Sequence, residues 1–209
     1  KNNLFILVSS KADSILETIQ SRCQKIYFPP LRTKIIQETL TESGIELNHA
    51  SIISRISDGN MKLAFELNNN TKDLLSIFDI AIQSCFSTDP SLWDKCIDKI
   101  SSLKTTNINQ MEQLFKCIML FFRDLLIYSS SLSENEIIFV YLINKIKKIH
   151  LTYENANWDE CINHIENAQS YIARNGYAPV HILCMFLEIH KSLNCDYIEN
   201  FNMKNWMII

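Results

Sequence analysis

With only three glycines, four prolines and no Cys-x-x-Cys pair in 209 residues, the sequence excludes several chemistries at once. A phosphate-cradling loop of the G-x-x-x-x-G-K-[ST] type needs two glycines five apart, so that backbone N–H groups can close on the phosphates. Gly44, Gly59 and Gly176 cannot supply that loop, nor a G-x-G-x-x-G turn. The chain therefore carries no nucleotide-binding loop of its own, and no cofactor is expected in it. Long apolar runs are missing too. Residues 118–122 and 137–143 are far too short to span a bilayer, so no membrane partner is expected. An excess of positive charge is also absent. A net charge of −3 argues against whole-molecule attraction to a phosphate backbone, and any nucleic-acid contact has to be local.

Hydrophobic residues make up 47% and charged residues 21%, ordinary values for a globular chain that buries a core. The seven cysteines are Cys23, Cys85, Cys96, Cys117, Cys161, Cys184 and Cys195. An odd number, scattered mostly inside apolar helical patterns, reads as reduced thiol in a cytoplasmic protein. Cys161 and His164 stand three apart on one helix face, but a structural zinc site takes about four ligands, so no metal is expected. The chain opens on Lys1 rather than Met, with no basic-apolar-small signal segment, and enters a strand-like run at Leu4. That pattern reads as a piece of something longer.

Along the chain, residues 4–8 (Leu-Phe-Ile-Leu-Val) form a short continuous apolar run of the kind that suits a strand buried on both faces. A short helix is expected over residues 12–20, and residues 25–28 read as a second short extended piece. Pro29-Pro30 marks a domain boundary. Three short helices follow: one from about Thr33 to Gly44, one from an N-cap at Asn48 to Asp58-Gly59, and one over residues 60–67. The polar stretch Asn68-Asn69-Asn70-Thr71 reads as a link and a second boundary. Six helices fill the remainder. Asp89-Pro90 is an N-cap followed by Pro at the first helical position. Residues 108–128 are apolar on most faces, the mark of a central helix or a subunit interface. Ser133 and Glu136 have capping-box spacing for a helix reaching His150, Asn157 and Glu160 for a helix ending at Asn175-Gly176, and Pro179 opens the last.

One arrangement carries more than structure. Residues 4–8, the polar pair Ser9-Ser10, the short helix and then Ser21-Arg22-Cys23 resemble the sensor 1 strand and Ser-Arg-Cys motif of AAA+ clamp-loader subunits, found in bacterial DNA polymerase III and eukaryotic replication factor C. Downstream, Pro29-Pro30-Leu31 is similar to the entry of that family's helical lid, and Asp58-Gly59-Asn60-Met61-Lys62-Leu63-Ala64 to its sensor 2 segment. Ile172-Ala173-Arg174-Asn175-Gly176-Tyr177-Ala178-Pro179 resembles the last collar helices of delta-prime-type subunits. The resemblance implies a mainly α chain in three parts. Residues 1–28 would be the end of an AAA+ α/β domain with one or two strands, 29–70 a three-helix lid, and 71–209 an all-α collar for oligomerisation.

The resemblance further implies that Arg22 acts in trans on ATP held by a neighbouring subunit. In phosphoryl transfer, negative charge spreads over the transferring group, and a guanidinium stabilises it. The plainer reading of Arg22 is an exposed arginine in a surface ion pair of little worth. Ser10 occupies the sensor 1 position, where many relatives have Asn or Thr, and Ala12 stands where many have Pro. Lys62 occupies the sensor 2 position, where many have Arg; lysine lacks the bidentate fork. Ser10 and Lys62 are therefore read as structural or vestigial here. Lys145, Lys147 and Lys148 read as a solvated basic face, with contact to DNA phosphates as the sharper alternative.

Three functions follow as expectations. The first is a non-catalytic clamp-loader subunit that assembles a ring through its collar and meets the sliding clamp and primer-template DNA through the complex. The second is the C-terminal part of the ATP-hydrolysing motor subunit. The third is a helical protein-protein scaffold with no nucleotide role. In none is this chain itself an enzyme.

Overall fold

Apolar residues recurring every three to four positions leave this chain one way to bury them, the α-helix. The computed structural model describes residues 5–9, 15–131, 134 and 136–193, with the backbone alone for 69–72. The chain falls into two units, residues 1–30 and 31–209.

In the first unit the expected strand does not form. Residues 5–9 have no regular structure, and Phe5 and Val8 are 84% and 93% exposed. A strand needs a neighbour for its N–H and C=O groups, and there is no strand among the described residues. Residues 25–28 are likewise irregular, with Ile26, Tyr27 and Phe28 exposed. The helix expected over 12–20 is a single turn, α1 (Glu17–Gln20); residues 11–14 lie outside the described set. No described residue of this unit is buried.

The second unit is helical throughout. α2 (Thr33–Glu42) stops where predicted: Gly44 takes φ +89°, its N–H donates to Thr41 C=O at 2.9 Å, and Ile45 N–H donates to Leu40 C=O at 3.1 Å. Those two bonds satisfy carbonyls that the helix end would orphan. α3 (Leu47–Ile56) has Glu46 at its N-cap position, without a side-chain capping bond, and the expected cap Asn48 sits inside the first turn. α4 (Met61–Cys85) begins after Asn60, whose side chain accepts Leu63 N–H at 3.1 Å. It then runs straight through Asn68-Asn69-Asn70-Thr71, the expected link. Asparagine costs only a few tenths of a kcal/mol in a helix. Leu67 and Leu74, seven apart and both buried, dock the helix on either side of the polar stretch.

α5 (Pro90–Thr106) starts at Asp89, whose carboxylate accepts Ser91 N–H at 2.9 Å. α6 (Ile108–Ser131) is the central helix its pattern predicts, burying Met111, Leu114, Phe115, Cys117, Ile118, Phe121, Phe122 and Leu125. A 3₁₀ turn (Val140–Leu142) leads into α7 (Ile143–Thr152). α8 (Trp158–Ala173) is capped by Asn157, which accepts Glu160 N–H at 3.2 Å, and α9 (Ala178–Ser192) follows. α8 packs on both α6 and α9, while α5 bridges α4, α6 and α9. α2 and α3 pack on each other and on the start of α4, and α7 lies on α6. Ser133 lies outside the described residues, and the helix expected from that point starts only at Ile143.

The reason for that late start is one carboxylate. Asp124, fully buried in the middle of α6, accepts the N–H groups of Ile138 and Phe139, each at 2.9 Å. Its second oxygen lies 3.6 Å from Arg123 Nη1, an ion contact beyond hydrogen-bond reach. The clamp turns residues 137–139 inward. Phe139 then stacks on Phe78 at 5.2 Å and meets Phe121 edge-on at 6.2 Å. Burial holds the Asp124 carboxyl above its ordinary range, although the two N–H donors and the Arg123 and Arg55 guanidiniums pull it down.

Asp124→Ala strands two buried N–H donors, and we expect it to lower stability by about 2–4 kcal/mol in urea unfolding. Ionised Asp124 is the costlier form in the fold. Its contribution therefore falls as pH rises from the unfolded-state value of about 3.9 through the raised folded-state pKa, and levels off above it. Asp124→Asn should remove that slope while keeping an acceptor for the clamp; a pH–stability difference curve between wild type and Asp124→Asn that is flat across the acid range contradicts the assignment.

Candidate functional site

Ser21-Arg22-Cys23 caps the single turn of α1. Ser21 N–H donates to Glu17 C=O at 2.9 Å, Arg22 N–H to Ile19 C=O at 3.1 Å and Cys23 N–H to Gln20 C=O at 3.2 Å. The side chain of Gln20 stitches the two sides of this turn. Its amide Nε2 donates to Ile15 C=O at 2.6 Å, and its Oε1 accepts from Lys25 Nζ at 2.6 Å. Ser21 Oγ is turned back toward Thr18 C=O at 3.3 Å. Arg22 is exposed and has no ion-pair partner among the described residues. A guanidinium held at a turn with its fork open is chemically suited to an oxyanion from outside the chain. Cys23 is exposed and free.

The other expected site residues have separate surroundings. Ser10 lies outside the described residues, as does Ala12. Lys62 sits in the first turn of α4, exposed, with Glu66 one turn on at 3.8 Å. A pair of that kind contributes a few tenths of a kcal/mol at most. The segment around it is tied to the central helix: Asp58, at φ +51°, lies 3.5 Å from Lys116 of α6. Gly59, at φ +81°, accepts Leu31 N–H at 3.0 Å.

The three lysines of α7 do not act as one patch. Lys147 bonds Glu134 at 2.5 Å. Lys145 is half-buried, and desolvation lowers its pKa, with Asp79 opposing. Lys148 alone is exposed.

Buried thiols account for most of the cysteines. Cys85, Cys96, Cys117 and Cys161 lie in the core, and burial pushes the last three up to about 12, which removes their nucleophilic form at neutral pH. His164 Nε2 lies 3.2 Å from Ser192 Oγ, which in turn bonds Glu160. The hydroxyl sits between the imidazole and the carboxylate, the reverse of a catalytic relay in which the histidine is central. It ties the start of α8 to the end of α9. His190 packs on Trp93 with ring centres 5.6 Å apart and has Nε2 3.2 Å from Ser87 C=O. Its place is in the core. Among the described residues no helix is long and apolar enough to cross a membrane.

The turn between α8 and α9 is built by contacts that the sequence pattern hid. Asn175, not Gly176, takes the left-handed conformation, at φ +68°. Gly176 N–H donates to Tyr171 C=O at 2.9 Å, and Gly176 C=O accepts Lys104 Nζ at 2.6 Å. His181 lies flat on Tyr171, with ring centres 5.1 Å apart and planes at 13°.

Fold and site together define a mainly helical protein with an exposed arginine turn in a small first unit. No protein-family model matches the chain, and no solved structure matches it. Among curated proteins it is similar to DNA polymerase III subunit delta' of Bacillus subtilis (strain 168), with 31% identity over 70 residues. The matched stretch is 34% of this chain and 21% of that one, so the similarity spans about a fifth of the relative's length.

A Cβ at Gly176 would lie 2.5 Å from His181 Nε2 and 2.6 Å from the Tyr171 carbonyl oxygen. Because the second neighbour is backbone, Gly176→Ala is expected to cost about 1–3 kcal/mol. Thermal or urea unfolding checks this, and an unchanged midpoint would show that the turn is looser than described.

Proposed function

We propose that this chain is a non-catalytic subunit of a bacterial DNA polymerase III clamp loader, of the delta' kind. In this reading it joins a ring of homologous subunits through its helical second unit and offers Arg22 to ATP held by a neighbour. The ring opens the sliding clamp and places it on primer-template DNA in the cytoplasm. The observation that carries the proposal is the 31% identity over 70 residues with a DNA polymerase III subunit delta'. The resemblance of Ser21-Arg22-Cys23 to the clamp-loader motif supports it, and so does the open guanidinium at the end of α1.

The division of labour follows from the residues. Gly44, Gly59 and Gly176 build no phosphate loop, so in this reading the nucleotide is held outside these 209 residues, by a neighbouring subunit. Charge on the transferring phosphoryl oxygens is best met by a planar fork of N–H donors that is already placed. Arg22 has that fork and spends none of it within the described residues. Ser10 and Lys62 have no phosphate to read among these residues, and in this reading neither acts as a sensor.

Arg22→Ala in the complete subunit, reconstituted with the other ring subunits, is expected to leave assembly intact and lower DNA-stimulated ATPase. Trans arginines are worth about 10³–10⁵-fold in the strongest systems, and in a ring with several ATP sites we expect a loss of roughly tenfold or more. Arg22→Lys should recover only part of the rate, because lysine keeps the charge without the fork. An assembled complex with an unchanged ATPase rate would sink the role given to Arg22.

A further inference from the structure

The turn joining α8 to α9 presents a feature that the proposed subunit role leaves unused. Tyr171 is 53% exposed and Tyr177 71% exposed, within six residues of each other. Large rings so far out of the core contribute little to folding. Both are nevertheless held on a stiff support. The turn is closed by Gly176 N–H on Tyr171 C=O, braced by Lys104 on the Gly176 carbonyl, and packed so tightly that Gly176 admits no Cβ. Tyr171 is backed by the His181 ring lying parallel to it. One face of the tyrosine is thus occupied, and its exposed part is that of a ring fixed in place.

The charges nearest these rings along the sequence have one sign. Arg174 is exposed, and Lys104 uses one of its three donors on the turn. Neither has an ion-pair partner among the described residues. The sequence keeps acids away from both: there is no Asp or Glu from residue 167 to 187, nor from 99 to 111. In a chain of net charge −3, that is a local positive field beside two exposed aromatic rings.

We propose that this turn is a stacking platform for single-stranded nucleic acid. Tyr177 and the Tyr171–His181 pair take base faces, and Arg174 and Lys104 take the adjoining phosphates. Exposed aromatic rings beside cations that have no acidic partner among the described residues are the combination that binds a flexible strand without reading its sequence. An acidic protein segment would use the cations, but it has no need of flat rings. The site belongs to the second unit and the proposed trans arginine to the first, and its test uses the chain alone with no ATP or partner subunit, so either reading can fail without the other.

Anisotropy of a fluorescein-labelled oligothymidylate, longer than about 16 nucleotides so that one strand spans the site, measures binding directly. Saturable binding at low salt is expected, weakening as salt rises with a log–log slope of about −1.4 for two phosphate contacts on a single strand. Tyr177→Ala should weaken it roughly tenfold, the loss of about one stacked base. Tyr177→Leu should weaken it as much, since leucine keeps apolar bulk without a planar face. Arg174→Ala should halve the slope to about −0.7. These positions are exposed, and unchanged helicity by circular dichroism confirms that the variants fold. Absence of saturable binding overturns the proposal, as does binding that Tyr177→Leu leaves intact. Polyglutamate competing as well as the oligonucleotide also overturns it, by marking the turn as an acid-binding protein contact.

Discussion

The second unit depends on a carboxylate placed where its helix pattern calls for a hydrophobic side chain. Asp124 lies among Phe121, Phe122 and Leu125 on the buried side of α6, and it holds the backbone of Ile138 and Phe139. Removing that acceptor leaves two donors in an apolar core. Keeping it fixes the return path of the chain after α6, brings Phe139 against Phe78 of α4, and sets where α7 can begin. α8 and α9 then close over the same central helix. A buried charge is costly in itself, and the raised Asp124 carboxyl reflects that cost. What it supplies is a single register for a connection that has no secondary structure of its own.

Function and stability lie on different parts of this molecule. The proposed trans arginine is carried by a unit whose described residues are all intermediate or exposed, on one turn of helix held by short-range hydrogen bonds. Phe5, Val8, Ile26, Tyr27 and Phe28 of the same unit are exposed apolar side chains. The second unit holds the described buried residues, and it presents Tyr171 and Tyr177 exposed at the hydrogen-bonded α8–α9 turn. A residue that serves another molecule's chemistry has to be accessible; the elements that place it do not.

Much of the helical pattern was legible from local rules. Gly44, Asp89-Pro90 and Asn157 end or start helices because their side chains or backbone freedom satisfy particular orphan groups, and those groups are close in sequence. The rules failed where distant packing decided. Asn68-Asn69-Asn70-Thr71 reads as a link until Leu67 and Leu74 are seen buried on either side of it. Ser133 and Glu136 have the spacing of a cap, but the clamp from Asp124 holds the following residues away from a helix. Residues 4–8 have the composition of a buried strand, but the described residues hold no strand with which 5–8 could pair. Asp124 itself carried a readable signal, an acid on the apolar face of a strongly patterned helix. The brace between Lys104 and Gly176, 72 residues apart, carried none. In the candidate site, the Ser-Arg-Cys triplet was legible as a motif, whereas the stitching of its turn by Gln20 and Lys25 depends on side-chain geometry.

Native-state hydrogen exchange resolved along the chain tests most directly whether one carboxylate organises the second unit while the first lacks a core. The amides of Ile138 and Phe139 lie outside any helix, yet they should exchange as slowly as those in the middle of α6, because both open only when the Asp124 clamp opens. Residues 5–9 should exchange near the rate of an unstructured chain. Fast exchange at Ile138 and Phe139 would contradict the clamp. Protection of residues 5–8 equal to that of α6, in a sample shown to be monomeric, would contradict the division between the two units.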